Sequence, residues 1–441
     1  MSGKTRSYAF RKRQLERLLV LLNDWESRLL EALSQDLGKC AFEAYATEIG
    51  MLKGEIHEAL RHLKRWMAPR KIAGPMLQFP SHGWRFPEPK GCVLIVSPWN
   101  YPVQLTLAPL ISAIAAGNCA ILSLPPDAPK TSDILAKMIQ DGFTETYLAA
   151  RIGTIPCNTI LFSLPFDHIF FTGSPRVGKI VMAAAASNLT PVTLELGGKS
   201  PCIIRKDADL KLAARRIVWG KCLNAGQTCV APDYLLLEKG IREKFLYEIG
   251  QAVQRMFGDN MITNPEYAKI VNEKHFTRLS SMLKDQKILF GGNIGAESRK
   301  IGLTVVDNPP LDSTLMQEEI FGPILPLIEI ENIEEAIRFV SQRPKPLACY
   351  VFSQNLREAR RLMQNLSYGG GCINDTIVHL TSSKLPFGGI GNSGMGSCHG
   401  KAGFDTFTHC KSVLERGTWL DLSMRYPPYG SRFDSLKKLM R

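Results

Sequence analysis

The chain has 441 residues, more than one ordinary domain and enough for two or three. Hydrophobic residues make up 45% and charged residues 22%, a balance that suits a water-soluble enzyme with a sizeable core and excludes a disordered or fibrous chain. Lysine and arginine number 54 against 41 acidic residues, a net charge of +13; no helix-turn-helix, zinc or aromatic-rich RNA signature accompanies it, so nucleic acid is not an expected partner.

Much of the excess charge lies at the ends. Residues 4–17 carry Lys4, Arg6, Arg11, Lys12, Arg13 and Arg17 against Glu16, and 425–441 carry five basic residues against Asp434. These read as solvated basic surface, with attraction to anionic lipid headgroups as the alternative. The start is not a signal peptide, because Asn23-Asp24 cuts short the leucine run after Arg11-Lys12-Arg13. Leu15, Leu18, Leu19, Leu22, Trp25, Leu29 and Leu33 fall on one helical stripe, so residues 9–70 read as amphipathic helices. Residues 75–90 are rich in Pro, Gly and aromatics and suggest a short hairpin pairing Leu77-Gln78-Phe79 with Trp84-Arg85-Phe86.

From Gly91 to Pro126 there is no charged residue and no histidine. Pro98, Pro102, Pro109 and Gly117-Asn118 break the stretch into pieces, whereas a spanning helix needs about 20 uninterrupted apolar residues. It reads instead as strand 92–96, helix 103–116 and strand 119–124, a buried βαβ unit. Strand and helix go on alternating. Phe170-Phe171 lies on a strand before helix 176–186, and strand 201–204 precedes helix 207–224. Further strands fall at 234–237, 303–306, 324–330 and 347–352, with helices at 241–256, 333–342 and 355–366. Residues 386–396 are a Gly-rich ordered loop. The alternation predicts an α/β protein of two doubly wound, Rossmann-like domains.

Eleven cysteines stand at irregular spacing without CxxC pairs, which points to reduced thiols in a reducing compartment. One of them, Cys229, lies in Asn224-Ala225-Gly226-Gln227-Thr228-Cys229, a small Gly-containing bend, and Glu195 interrupts the apolar run Leu194-Glu195-Leu196. A thiol nucleophile and a carboxylate base are what a two-stage covalent mechanism needs. The alternatives are an inert buried thiol and a capping or ion-paired glutamate. Gly173-Ser174-Pro175-Arg176-Val177-Gly178-Lys179 has P-loop spacing, but Ile180 stands where that motif needs Ser or Thr. The loop still aims a helix N-terminus at a ligand such as a pyrophosphate, the alternative being a tight turn that packs strand on helix. No metal-ligand cluster is visible.

Five ordered stretches carry a family pattern: Pro98-Trp99-Asn100-Tyr101-Pro102, Phe171-Thr172-Gly173-Ser174, Thr193 to Lys199, Asn224 to Tyr234, and Gln317-Glu318-Glu319-Ile320-Phe321-Gly322-Pro323. Leu385 to Gly389 and Arg425 to Pro428 extend it. Over residues 4–430 the chain resembles the aldehyde dehydrogenase superfamily, most closely its class 3 branch of fatty and aromatic aldehyde dehydrogenases. The resemblance implies Cys229 as nucleophile, Glu195 as general base for deacylation, and the Asn100 amide with the Cys229 N–H as oxyanion hole. It implies Glu319 on the nicotinamide ribose, Phe321 beside the nicotinamide, and Gly173 and Ser174 on the pyrophosphate; Trp99 and Gly178 complete the expected cofactor contacts. The implied reaction runs through thiolate attack, a thiohemiacetal, hydride transfer to NAD or NADP, a thioester and hydrolysis to a carboxylic acid. No metal is required.

The resemblance also implies a domain plan: cofactor domain at 1–74 and 91–196, catalytic domain at 197–405, and an oligomerisation arm at 75–90 and 406–430 before a basic tail at 431–441. It implies a homodimer acting on medium- or long-chain aliphatic or aromatic aldehydes in the cytoplasm. The tail carries neither the hydrophobic anchor nor the prenylated cysteine of some class 3 members, so membrane contact is at most peripheral. Two stretches depart from the family. Ser123-Leu124-Pro125-Pro126 stands where a Lys-Pro-Ser-Glu run is usual, and Gly153 to Asn158 replaces a Gly-Gly pair followed by Glu-Thr. The altered stretch leaves NAD and NADP both open. It motivates an alternative reading, a catalytically weak paralogue acting as a binding or structural protein; a third is an esterase or acyl transferase using Cys229.

Overall fold

A computed structural model of the chain describes residues 3–75, 78–430 and 433–439. Two sheets dominate it. In the first, the strands run Gly394–Met395, Val192–Leu196, His168–Gly173, Cys92–Val96, Cys119–Leu124 and Leu148–Ile152 across the sheet, all parallel except the first. In the second, the order is Ile288–Phe290, Thr304–Asp307, Ile324–Ile330, Tyr234–Glu238, Pro201–Ile204, Ala348–Phe352 and Gly370–Ile373, again parallel except the first. Each sheet is covered by helices on both faces, which is why its strands read as unbroken apolar runs. The expected doubly wound α/β architecture is the one observed.

The uncharged stretch 91–126 folds as the expected βαβ unit. Its helix, Gln104–Ala116, is apolar all round because it is enclosed by Tyr8–Asp24, Gly50–Met67, Gly400–Thr406 and the sheet. Arg11, read as part of a solvated basic face, is instead 3% exposed. It donates from Nη1 to Ala115 O at 3.0 Å, closing the carbonyl end of that helix. Among the described residues no helix is long and apolar enough to cross a membrane.

A three-stranded antiparallel sheet joins Arg70–Ala73, Ser81–Pro89 and Thr408–Arg416. The hairpin expected around Trp84 therefore exists, but its other strand is Arg70–Ala73; Gln78 and Phe79 are outside any strand, and Leu77 lies outside the described residues. Arg70–Ala73 is exposed throughout, so it carries no apolar alternation to read. The segment near 400 also departs from the expected division. Gly394–Met395 pairs with Val192–Leu196, and Cys398 and Phe404 join the first core, so this part of the segment assigned to the catalytic domain packs on the cofactor side; Phe407, assigned to the arm, joins the same core.

Candidate active site

The helix Leu210–Cys222 stops at a turn that few sequences could hold. Asn224 and Ala225 take left-handed backbone (φ 51° and 52°), followed by Gly226 at φ 75°, where a Cβ would lie 2.4 Å from Gly322 O. Non-glycine residues stay in that region only when their surroundings over-determine them. Here the Asn224 N–H donates to Glu43 Oε1 (2.8 Å) and its side-chain amide to Asn100 O (2.7 Å). Gln227 donates to Asn224 O and Lys269 O and accepts from Val271 N. Cys229 follows, held where two cavities meet.

The first cavity, about 210 Å³, opens at the carboxyl ends of the first sheet's strands. The strand order reverses between Cys92–Val96 and His168–Gly173, the place where open α/β sheets bind ligands. Trp99, Asn100, Gly173, Ser174, Glu195, Cys229, Glu319 and Phe321, all singled out in the sequence, line it together. Asn100 is 2% exposed and donates one amide N–H to Gln227 O at 3.0 Å, leaving a second N–H for a ligand. Glu195 is buried, and neither of its carboxylate oxygens has a hydrogen-bond partner among the described residues. Burial pushes its carboxyl well above the usual range, against a smaller pull from the Cys398 thiol. Burial, with Glu319 and Glu195 nearby, pushes the Cys229 thiol up to about 12, while the N–H groups of Cys229 and Val230 draw it partly back. Glu319 is raised to about 8 by burial and by Asp233.

Glu319 is fixed from two sides. Lys199 pairs with Asp233 and donates to Leu315 O (2.6 Å) and Glu318 O (2.9 Å), while Asp233 accepts from Ile320 N (2.9 Å). Gly197 lets the carboxylate close in, since a Cβ there would meet Glu319 Oε2 at 1.9 Å. Phe321 takes φ 52° and meets the Trp99 ring edge-on at 5.4 Å. Gly178 is the exception among the expected contacts. It lies inside helix Pro175–Ala186 facing Leu196, where a Cβ would come within 2.8 Å, so its glycine serves helix-on-strand packing and it does not line the cavity.

Sequence reading missed two members of the wall with polar side chains. His275, near the start of helix Glu273–Met282, packs on Trp99 at 4.9 Å; burial and Arg278 lower its imidazole. Thr172 presents a buried hydroxyl with no hydrogen-bond partner among the described residues. A lone His or Thr carries no spacing signal, although Thr172 stood inside a quoted motif. The two divergent stretches touch: Ser123 Oγ donates to Asn158 Oδ1 at 2.6 Å, and Asn158 donates to Gly153 O at 2.9 Å.

The second cavity, about 220 Å³, reaches Cys229 past Tyr101, Leu105, Trp219, Val230, Ile377 and Leu380. Its one ionic group is His399, which sits at φ 69° and pairs with Glu55; that carboxylate outweighs burial and raises the imidazole above its ordinary value. The first cavity has the features a dinucleotide needs: a helix N-terminus behind Ser174, an unsatisfied hydroxyl at Thr172, a carboxylate at Glu319 and flanking rings. The residues fit such a cofactor. Among the described residues no cluster of metal ligands occurs, and all eleven cysteines are free thiols.

Known proteins share this sequence pattern and this fold. The sequence pattern described as "Aldehyde dehydrogenase family" matches residues 4–413. The 4,4'-diaponeurosporen-aldehyde dehydrogenase of Staphylococcus aureus is 45% identical over 440 residues, 99% of this chain and 96% of that protein. Aldehyde dehydrogenase family 3 member A2 of Mus musculus is 45% identical over 429 residues, 97% of this chain and 89% of that one. A substrate-bound Staphylococcus aureus AldH superposes with TM-score 0.98 at 45% identity, covering 100% and 96% of the two chains. An NAD-dependent aldehyde dehydrogenase from Sinorhizobium meliloti gives 0.85 at 28% identity, covering 96% and 85%.

Proposed function

The chain belongs to the aldehyde dehydrogenase family, and from that premise we propose that it oxidises apolar aldehydes to carboxylic acids through a covalent Cys229 intermediate, with NAD or NADP in the first cavity. The observation that carries the residue roles is the meeting of Cys229, Asn100 and Glu195 on one cavity that Glu319 and Phe321 also line. Cys229 Sγ, its proton released to solvent, attacks the aldehyde carbon, giving a thiohemiacetal whose oxygen takes up negative charge. The free Asn100 N–H and the Cys229 backbone N–H hold that oxygen, and losing one such donor typically costs about 10²–10³ in rate. A dinucleotide held by Glu319, Ser174 and the flanking rings would supply the hydride acceptor, and loss of that hydride leaves a thioester on Cys229. Glu195, its proton affinity raised by burial, then takes a proton from water as the water attacks the thioester, freeing the acid and the thiol.

The second cavity supports an apolar substrate, since aliphatic and aromatic side chains make most of its wall. The relative named as a 4,4'-diaponeurosporen-aldehyde dehydrogenase is consistent with that reading. The three-stranded sheet, with Val413 and Leu414 exposed on its edge strand Thr408–Arg416, supports a homodimer joined through this arm. Cytoplasmic location with at most peripheral contact to anionic membranes completes the reading.

The test is absorbance at 340 nm over a panel of aldehydes, run with NAD+ and NADP+ in parallel. Turnover is expected with at least one cofactor and is lost in Cys229→Ala. Glu195→Gln is expected to keep the first-turnover burst and lose about 10²–10⁴ in steady state. Activity surviving Cys229→Ala, or unchanged turnover in Glu195→Gln, would remove that residue from its role.

A further inference from the structure

We propose that the buried ion pair of Lys39 and Glu48 is a positioning device for Asn100, and through it sets how well the alkoxide formed on acylation is held. The proposal rests on the reading of Asn100 as an oxyanion donor. Both side chains are wholly enclosed, with Lys39 Nζ 2.6 Å from Glu48 Oε1. Neither touches the cavity around Cys229; each grips the backbone of the segment that carries Asn100. The ammonium donates to Asn100 O at 3.1 Å and lies 3.9 Å from the centre of the Tyr101 ring. Glu48 Oε2 accepts from Val103 N (2.9 Å) and Gln104 N (3.2 Å), at the start of helix Gln104–Ala116.

The grip passes on to the nucleophile turn. The carbonyl of Asn100 that receives the ammonium also receives the Asn224 amide, the Asn100 amide donates to Gln227 O, and Tyr101 shares a 2.7 Å hydrogen bond with Thr228. The pair thus holds segment 100–104 against segment 224–228, with the donor on one and the thiol of Cys229 directly after the other. Stability does not account for such a pair. Removing two charges from water is costly, and an uncharged replacement of similar volume is often neutral or better. Glu48 reaches this place because Tyr45–Ile49 forms a π-turn, which shifts the helix register by one residue and is frequent at functional sites.

The experiment uses the full-length enzyme carrying Lys39→Met with Glu48→Gln. This removes both charges but leaves Gln an oxygen for the Val103 and Gln104 N–H groups. Acylation is read as the pre-steady-state burst of NADH with an aldehyde, and as hydrolysis of p-nitrophenyl acetate without dinucleotide. Both are expected to fall by roughly ten- to a hundred-fold. Alkylation of Cys229 by iodoacetamide and NAD+ affinity, which a general loss of structure would also lower, are expected to stay within about two-fold. Asn100→Ala is made in both backgrounds. If the pair acts through Asn100, the triple variant is no slower than Asn100→Ala alone. Acylation within two-fold of wild type in the double variant, or a triple variant that loses the product of the two effects, overturns the proposal. An Asn100→Ala enzyme that acylates normally overturns the oxyanion reading itself. Should the double variant not fold, Glu48→Gln alone is read by the same assays and is expected to lose roughly three- to ten-fold.

Discussion

Cys229 is poised by its surroundings to stay protonated at rest. Burial, Glu319 and Glu195 lift it to about 12, from an ordinary value of 9.0. A thiol with a raised value keeps its proton in the folded state, so no stability is lost below about 9, and stability falls as pH rises from about 9 toward 12. The rate of alkylation by a neutral reagent, which follows the thiolate fraction, is expected to climb about ten-fold per unit between pH 7 and 10 without a plateau. A plateau below pH 9 would mean that a cation or dipole absent from this account already ionises the thiol. Cys229, Glu195, Asn100 and Glu319 were legible because each stands in a string of residues whose types are rare together. Lys39 and Glu48 were not. A lysine and a glutamate among amphipathic helices look like solvated charge, and only the π-turn brings Glu48 inward.

At the scale of elements, loops that meet the cavity are fitted by glycines that leave room for neighbours rather than by flexibility. Gly197 follows strand Val192–Leu196 and lets the Glu319 carboxylate lie against the backbone. Gly197→Ala should force that carboxylate aside and raise the dinucleotide Kd by roughly ten-fold or more, the worth of one charge-assisted hydrogen bond, about 1.5–3 kcal/mol. Titration by quenching of tryptophan fluorescence reads it, and an unchanged Kd would argue against Glu319 as a cofactor contact. The parallel strands were legible because burial on both faces makes them continuous apolar runs. Arg70–Ala73 and Gly394–Met395 were not, the first being exposed along its length and the second only two residues long. Gly178 shows the converse error: a glycine spaced as in a phosphate loop serves packing against Leu196.

For the whole molecule, the arm is the part that the chain's own core does not need. Its outer strand leaves Val413 and Leu414 exposed and, among the described residues, pairs with a strand on one side alone. Sedimentation equilibrium is expected to give about twice the 49.1 kDa chain mass, and Leu414→Glu to shift the population to monomer with the single-chain fold intact. A wild-type protein that sediments as a single chain would dispose of the homodimer. The two cavities that meet at Cys229 have a wider consequence. Of their lining residues they have two in common, Leu105 and Cys229 itself. Mutations that reshape the aldehyde side therefore leave the dinucleotide side almost untouched, so descendants of one such enzyme can diverge in diet while inheriting the same redox currency.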